Sequence, residues 1–160
     1  MKSNPDKALR QHLLYLLKEG GAHAMFEDAI KDFPAKLRGQ KVANFPHTAL
    51  MLLEHMRIAQ WDILEFSRNP DHVSPKWPKG YWPDKDKTGS PELWNETAEQ
   101  FQNDLEAFEN LLRDPATDLF AKLPHGTGQT IFREALVLAD HNSNHLGALV
   151  VINRIIRAVT

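Results

Sequence analysis

A chain of 160 residues, 42% hydrophobic and 25% charged with a formal net charge of -2, fits one domain spanning 1–160 and can bury a core without staples. The absence of cysteine excludes disulfides, thiolate metal ligands and cysteine nucleophiles, so any metal must sit on nitrogen and oxygen. Lys and Arg are scattered rather than striped, which speaks against nucleic acid; with no uninterrupted apolar h-region at the start and no later run approaching eighteen apolar residues, the reading is a soluble, cytoplasmic protein without a membrane partner.

Apolar periodicity is helical throughout, and the prolines and glycines gather between the periodic segments. The first helix is expected from about Pro5 to Glu19, with Leu9, Leu13, Leu16 and Leu17 inward and the Gly20-Gly21 pair ending it. AMFEDAIKDF predicts a short helix stopped near Pro34. The second long helix opens between Pro46 and Thr48 and runs to about Arg68, with an inner stripe of Leu52, His55, Met56, Ala59, Asp62, Ile63 and Phe66. A linker rich in proline and aromatics follows, VSPKWPKGYWPDKDKTGS, and it reads as a rigid strap rather than a substrate lid. Ser90 as N-cap, Pro91 and Glu92 then start a helix ending near Asp114, with Leu93 or Trp94, Thr97, Phe101, Leu105, Phe108 and Leu112 inward. The last helix covers about Thr130 to Ala158 and carries a seam of Leu138, His141, His145, Leu149, Ile152 and Ile156. Linkers of about twenty residues exceed what antiparallel neighbours need. The expected fold is therefore all-α, a four-helix bundle with long crossover connections.

Polar residues interrupt two of these apolar stripes. His141 and His145, four apart, share one helix face about one turn from each other, within reach of one cation. Two imidazoles on an apolar seam need a ligand or a hydrogen-bond network, because burying them without partners costs a few kcal/mol. His55 on the facing stripe supplies a third nitrogen. Three imidazoles with an open fourth position are the pattern of a catalytic metal site, and nickel, zinc and iron all accept such donors. Asp62 and Glu134 each lie seven residues from a histidine of this set, too far to share its metal but placed to orient a partner or form a buried salt bridge. His12 reads as a core histidine bonded to a carbonyl, His23 and His72 as exposed, Asp140 as surface, and His47 and His125 as turn or loop residues able to border a pocket.

With these residues in place the chain resembles the DinB superfamily, also called DinB/YfiT-like, over nearly its full length. LLEHMRIAQWDILEFSRNP and REALVLADHNSNHLGALVVINR look like that family's two signature helices, and WPKGYWP and PHGTGQT like connectors of one of its subgroups. The resemblance implies His55, His141 and His145 as metal ligands, a four-helix bundle with long crossovers and a homodimer. It departs at Asn144 and Ala148, where the family often carries an aromatic residue and a glutamine in HxxYHLGQ; neither position is a proposed ligand. Some relatives use low-molecular-weight thiols, which implies a thiol transferase whose pocket is roofed by Trp77, Tyr81 and Trp82. Metal-dependent hydrolysis and a non-catalytic module binding a metal or small molecule are the competing functions, and no catalytic residue is named by the sequence.

Overall fold

A computed structural model of the chain describes residues 5–19, 21–42, 45–84 and 90–159. The described residues form five α-helices and no named strand: α1 (Pro5–Lys18), α2 (Phe26–Ile30), α3 (Ala49–Arg68), α4 (Pro91–Arg113) and α5 (Ile131–Val159). The all-α bundle expected from periodicity is present, and no described helix is long and apolar enough to cross a membrane.

Helix starts follow local chemistry. Thr48 is extended and accepts the Met51 amide on Oγ1 at 3.1 Å, which satisfies one of the free N–H groups that open α3. Pro91 fills the first turn of α4 as expected, but Ser90 makes no capping bond to the backbone; its hydroxyl bonds the Glu92 carboxylate instead. Gly20 lies outside the described residues, while Gly21 takes the left-handed conformation (φ 57°) just beyond α1.

Helix directions follow from which side chains meet. Glu54 bonds Thr97, and further along both helices Gln60 bonds the Phe101 carbonyl, so α3 and α4 run parallel. His55 meets His145 while Gln60 meets Asn142, so α5 runs antiparallel to α3. Arg10, early in α1, donates to the carbonyls of Leu112, Asp114 and Thr117 at the far end of α4, so α1 is antiparallel to α4. Both α1 and α3 pack on α4 and α5, which puts successive helices α1 and α3 diagonally across the bundle, and α4 and α5 likewise. A parallel α3–α4 pair requires residues 69–90 to return along the whole bundle, and this explains the long linker.

Two apolar clusters fill the interior. One joins Leu53, Met56, Trp94, Phe101, Leu149 and Ile152; the other joins Leu13, Leu64, Phe108, Leu112, Ala135 and Leu138. Between them the polar residues His55, Gln60 and Asn142 reach inward from α3 and α5. Three inward assignments change. Leu16 is exposed because the stripe of α1 centres on Leu13, with Leu9, Leu14 and Leu17 flanking it. His12, next to Leu13 and about 100° around the helix, faces solvent for the same reason. The α3 stripe is wider than expected, taking in Leu53, Gln60 and Leu64, since α3 packs against two long helices rather than one.

Candidate metal centre

His55, His141 and His145 converge. Each offers one ring nitrogen to a group whose members lie within 4.8 Å of one another, and the His55 Nε2 is 3.1 Å from His141 Nε2 and 3.2 Å from His145 Nε2. Nitrogens sharing one cation at bonds near 2.05 Å sit about 2.9 to 3.4 Å apart, so these two separations suit common ligation. The three histidines lie close enough to hold a metal ion. Among the described residues no carboxylate or fourth histidine joins them.

The sequence places His55 in the interior, and it is 3% exposed; His141 and His145 are half-buried, on the flank of the α5 seam rather than in it. The fully buried positions of that seam are Leu138, Asn142, Leu146 and Leu149. The site therefore has a closed side on α3 and an open side along α5.

The His55 ring is held by two groups of the returning strap. Its Nδ1 is 2.8 Å from the Tyr81 carbonyl, which can only accept, so the proton is on Nδ1 and Nε2 presents a lone pair to the other two rings. Trp82 stacks on the same ring at 4.0 Å between centroids with planes 3° apart, and on His47 at 3.9 Å and 15°. Two parallel rings this close to one indole occupy its opposite faces. Trp82 is thus a spacer between His47 and His55, and it shields the latter from water.

Asp62 anchors the strap. The buried carboxylate accepts from His72 Nε2 at 2.7 Å and from the Tyr81 hydroxyl at 2.6 Å, using one oxygen for each. Burial, then the bond to Asp62, pushes the Tyr81 phenol well above its ordinary range, so it stays a donor. Asp62 thus bonds the segment that holds His55. His72, expected to be exposed, has a side chain only 6% exposed because it caps this carboxylate. Gly80 is required here, since a Cβ on it would come within 2.8 Å of the Pro75 Cβ.

The other candidates fall elsewhere. Glu134 is buried and bonded at 2.5 Å to Arg133, whose side chain is exposed, so the pair is not the buried salt bridge expected; burial raises the Glu134 pKa. Trp77 does not wall the site: it is 75% exposed and touches Tyr81 with its ring. Tyr81 and Trp82 instead lie against Asp62 and His55. His125 donates to the Phe66 carbonyl at 2.7 Å and His23 bonds the Ala24 carbonyl at 2.8 Å and is half-buried rather than exposed; neither reaches the centre. Asp140 is at the surface as expected. Sequence reasoning missed Gln60 and Asn142. The signal available was a further polar residue among the apolar ones of each helix, Gln60 five residues after His55 and Asn142 three before His145.

Burial, then the neighbouring His145 and His55 rings, lowers the His141 pKa to about 4, and burial, then His55 and His47, does the same for His145. His55 is also lowered, mainly by burial, against the raising effect of the Tyr81 carbonyl. All three are neutral at pH 7, as nitrogen ligands must be. Folded-state values below the unfolded value near 6.5 make this contribution to stability complete above about pH 6.5 and progressively lost as pH falls towards 4, because the unfolded chain binds protons the folded site refuses. The expected result is a Tm, measured without added metal, that drops more between pH 7.5 and 5 for the wild type than for His145→Gln. Equal drops would remove the argument.

Two cavities flank the centre without including it. One of about 340 Å³, between α1, α2, α4 and α5, includes Asn142 but none of the three histidines. The other, a more open groove of about 460 Å³ between α3 and the strap, is lined by Glu54, Lys76, Lys79 and Trp82 and so borders the ring that covers His55. Comparison with family models, curated proteins and solved structures returns no match.

Proposed function

We propose that this chain is a metal-dependent enzyme of the DinB type that activates a low-molecular-weight thiol and transfers it to a small electrophile. The observation that carries the proposal is the convergence of three neutral imidazole nitrogens with no fourth protein ligand among the described residues. The likeness of the His55 and His141–His145 helices to the DinB signature helices supports the same reading. His55, His141 and His145 would hold a divalent transition metal, nickel, zinc or iron, which would supply the Lewis acidity to make a thiol or water nucleophilic near neutral pH.

The protein's part is to hold and shield. Tyr81 fixes the tautomer of His55, Trp82 excludes water from one face of its ring, and Asp62 locks both to the bundle. Substrate approaches from the side of His141 and His145, which is open.

The test loads purified protein with nickel, zinc or iron and screens conjugation of bacillithiol or mycothiol to small electrophiles, alongside ester and amide hydrolysis. Conjugation that is lost in His145→Ala is the expected outcome. Hydrolysis alone would replace the transferase with a hydrolase at the same centre. Silence in both panels with tight ligand binding retained would make the chain a binding module.

A further inference from the structure

His141 turns one ring nitrogen towards His55, and the other, Nδ1, is buried without a hydrogen-bond partner. On the next residue, Asn142 is 7% exposed and its Oδ1 is likewise buried and unpartnered. The orientation of the Asn142 amide follows from a third group. The Phe101 carbonyl can only accept, so Gln60 gives it Nε2 and turns Oε1 towards Asn142, which answers with Nδ2 at 3.0 Å. Oδ1 is thereby left facing away from Gln60, an acceptor without a donor.

A cation held by three Nε2 lone pairs obliges His141 to carry its proton on Nδ1, which makes that atom a donor without an acceptor. Leaving either group unpaired in the interior costs about 1 to 3 kcal/mol, and pairing them removes both penalties at once. Metal-ligating histidines generally give their second N–H to an oxygen, and His55 already does so to the Tyr81 carbonyl. Among the described residues His141 gives its Nδ1 to no oxygen, and the unpartnered Asn142 Oδ1 lies on the next residue.

We propose that Asn142 is a positioning residue for the metal centre: its Oδ1 accepts the Nδ1–H of His141, and the chain Phe101 carbonyl, Gln60, Asn142 fixes that amide so the ring is aimed at the cation. The inference rests on the metal-site reading above and adds two residues to it, Gln60 and Asn142, that touch neither metal nor substrate.

The experiment uses zinc as the probe, titrated in competition with a chromophoric chelator against the wild type, Asn142→Asp, Asn142→Leu and Asn142→Ala, with folding checked by circular dichroism. Loss of the oxygen in the Leu variant is expected to weaken zinc binding roughly 10- to 100-fold, and the Asp variant, which keeps an acceptor, to stay within about threefold of wild type. Nitrogen-15 NMR of the zinc-loaded proteins is expected to show a His141 Nδ1–H protected from exchange in the wild type and the Asp variant and unprotected in Leu and Ala. Should the Leu variant fail to fold, the Ala variant carries the comparison. Wild-type affinity in a folded variant lacking the oxygen, or a protected Nδ1–H there, overturns the positioning role while leaving the metal centre intact. Absence of zinc binding by the wild type itself would instead sink the metal-site reading and this inference together.

Discussion

Replacing His145 with alanine is expected to lower transition-metal affinity by roughly 100- to 1000-fold, on the scale that divides the binding energy of a structural zinc site among its ligands. His145 is the cleanest ligand to remove. It is half-exposed and its ring contacts among the described residues are to His55 and His141, so its removal leaves the apolar clusters intact. His55→Ala should abolish binding as fully but for two reasons at once, since Trp82 loses its stacking partner and the Tyr81 carbonyl its donor. The measurement is a zinc or nickel titration with metal content by mass spectrometry, together with Tm with and without metal. A ligand that binds only the folded state raises Tm, so the metal-dependent increment should vanish in both variants while the metal-free Tm of His145→Ala stays near wild type. Stoichiometric metal retained in His145→Ala would end the three-histidine proposal.

Asp62→Ala should be the most damaging substitution at a position outside the three histidines and the apolar core. It leaves two donors, the buried His72 Nε2 and the half-buried Tyr81 hydroxyl, without their carboxylate acceptor, at about 1 to 3 kcal/mol each, a total of roughly 2 to 6 kcal/mol. For a domain of this size each kcal/mol moves Tm by about 2 to 4 °C, so a fall of roughly 4 to 24 °C is expected. The second readout is functional. With the strap unlatched the Tyr81 carbonyl no longer holds the tautomer of His55, and metal affinity should fall roughly 10- to 100-fold, the usual effect of losing a partner behind a ligand. Asp62→Asn keeps one accepting oxygen and should land between the two. A Tm within about 2 °C of wild type in the Ala variant would show that the strap is held by its aromatics alone.

The bundle was legible because periodicity and punctuation agree: Pro5, Thr48 and Pro91 open helices that end within one or two residues of the expected positions. The three histidines were legible for the opposite reason, as polar residues where the pattern demanded apolar ones. Helix directions were not. Whether α3 and α4 run parallel depends on where residues 69–90 travel, and no periodicity encodes that path. For the same reason His72 could not be foreseen under Asp62, nor Trp82 between His47 and His55; these contacts belong to the tertiary course of a segment whose regular structure among the described residues is one 3-10 turn, Lys79–Tyr81. Asn142 escaped because it shares a face with apolar seam residues, and a single amide there reads as an ordinary core polar group until its unpaired oxygen is seen.

The parallel course of α3 and α4 has one further consequence. His55 and His141 lie 86 positions apart, and the strap and all of α4 fall between them. A cation shared by these rings closes that span as a covalent bridge would, in a chain with no cysteine to make one. By the loop-entropy relation for cross-links, tying a segment of this length removes roughly 4 to 5 kcal/mol of freedom from the unfolded chain for as long as the metal stays bound to it. Coordination then serves as a reversible cross-link, whose strength the surroundings set through metal supply.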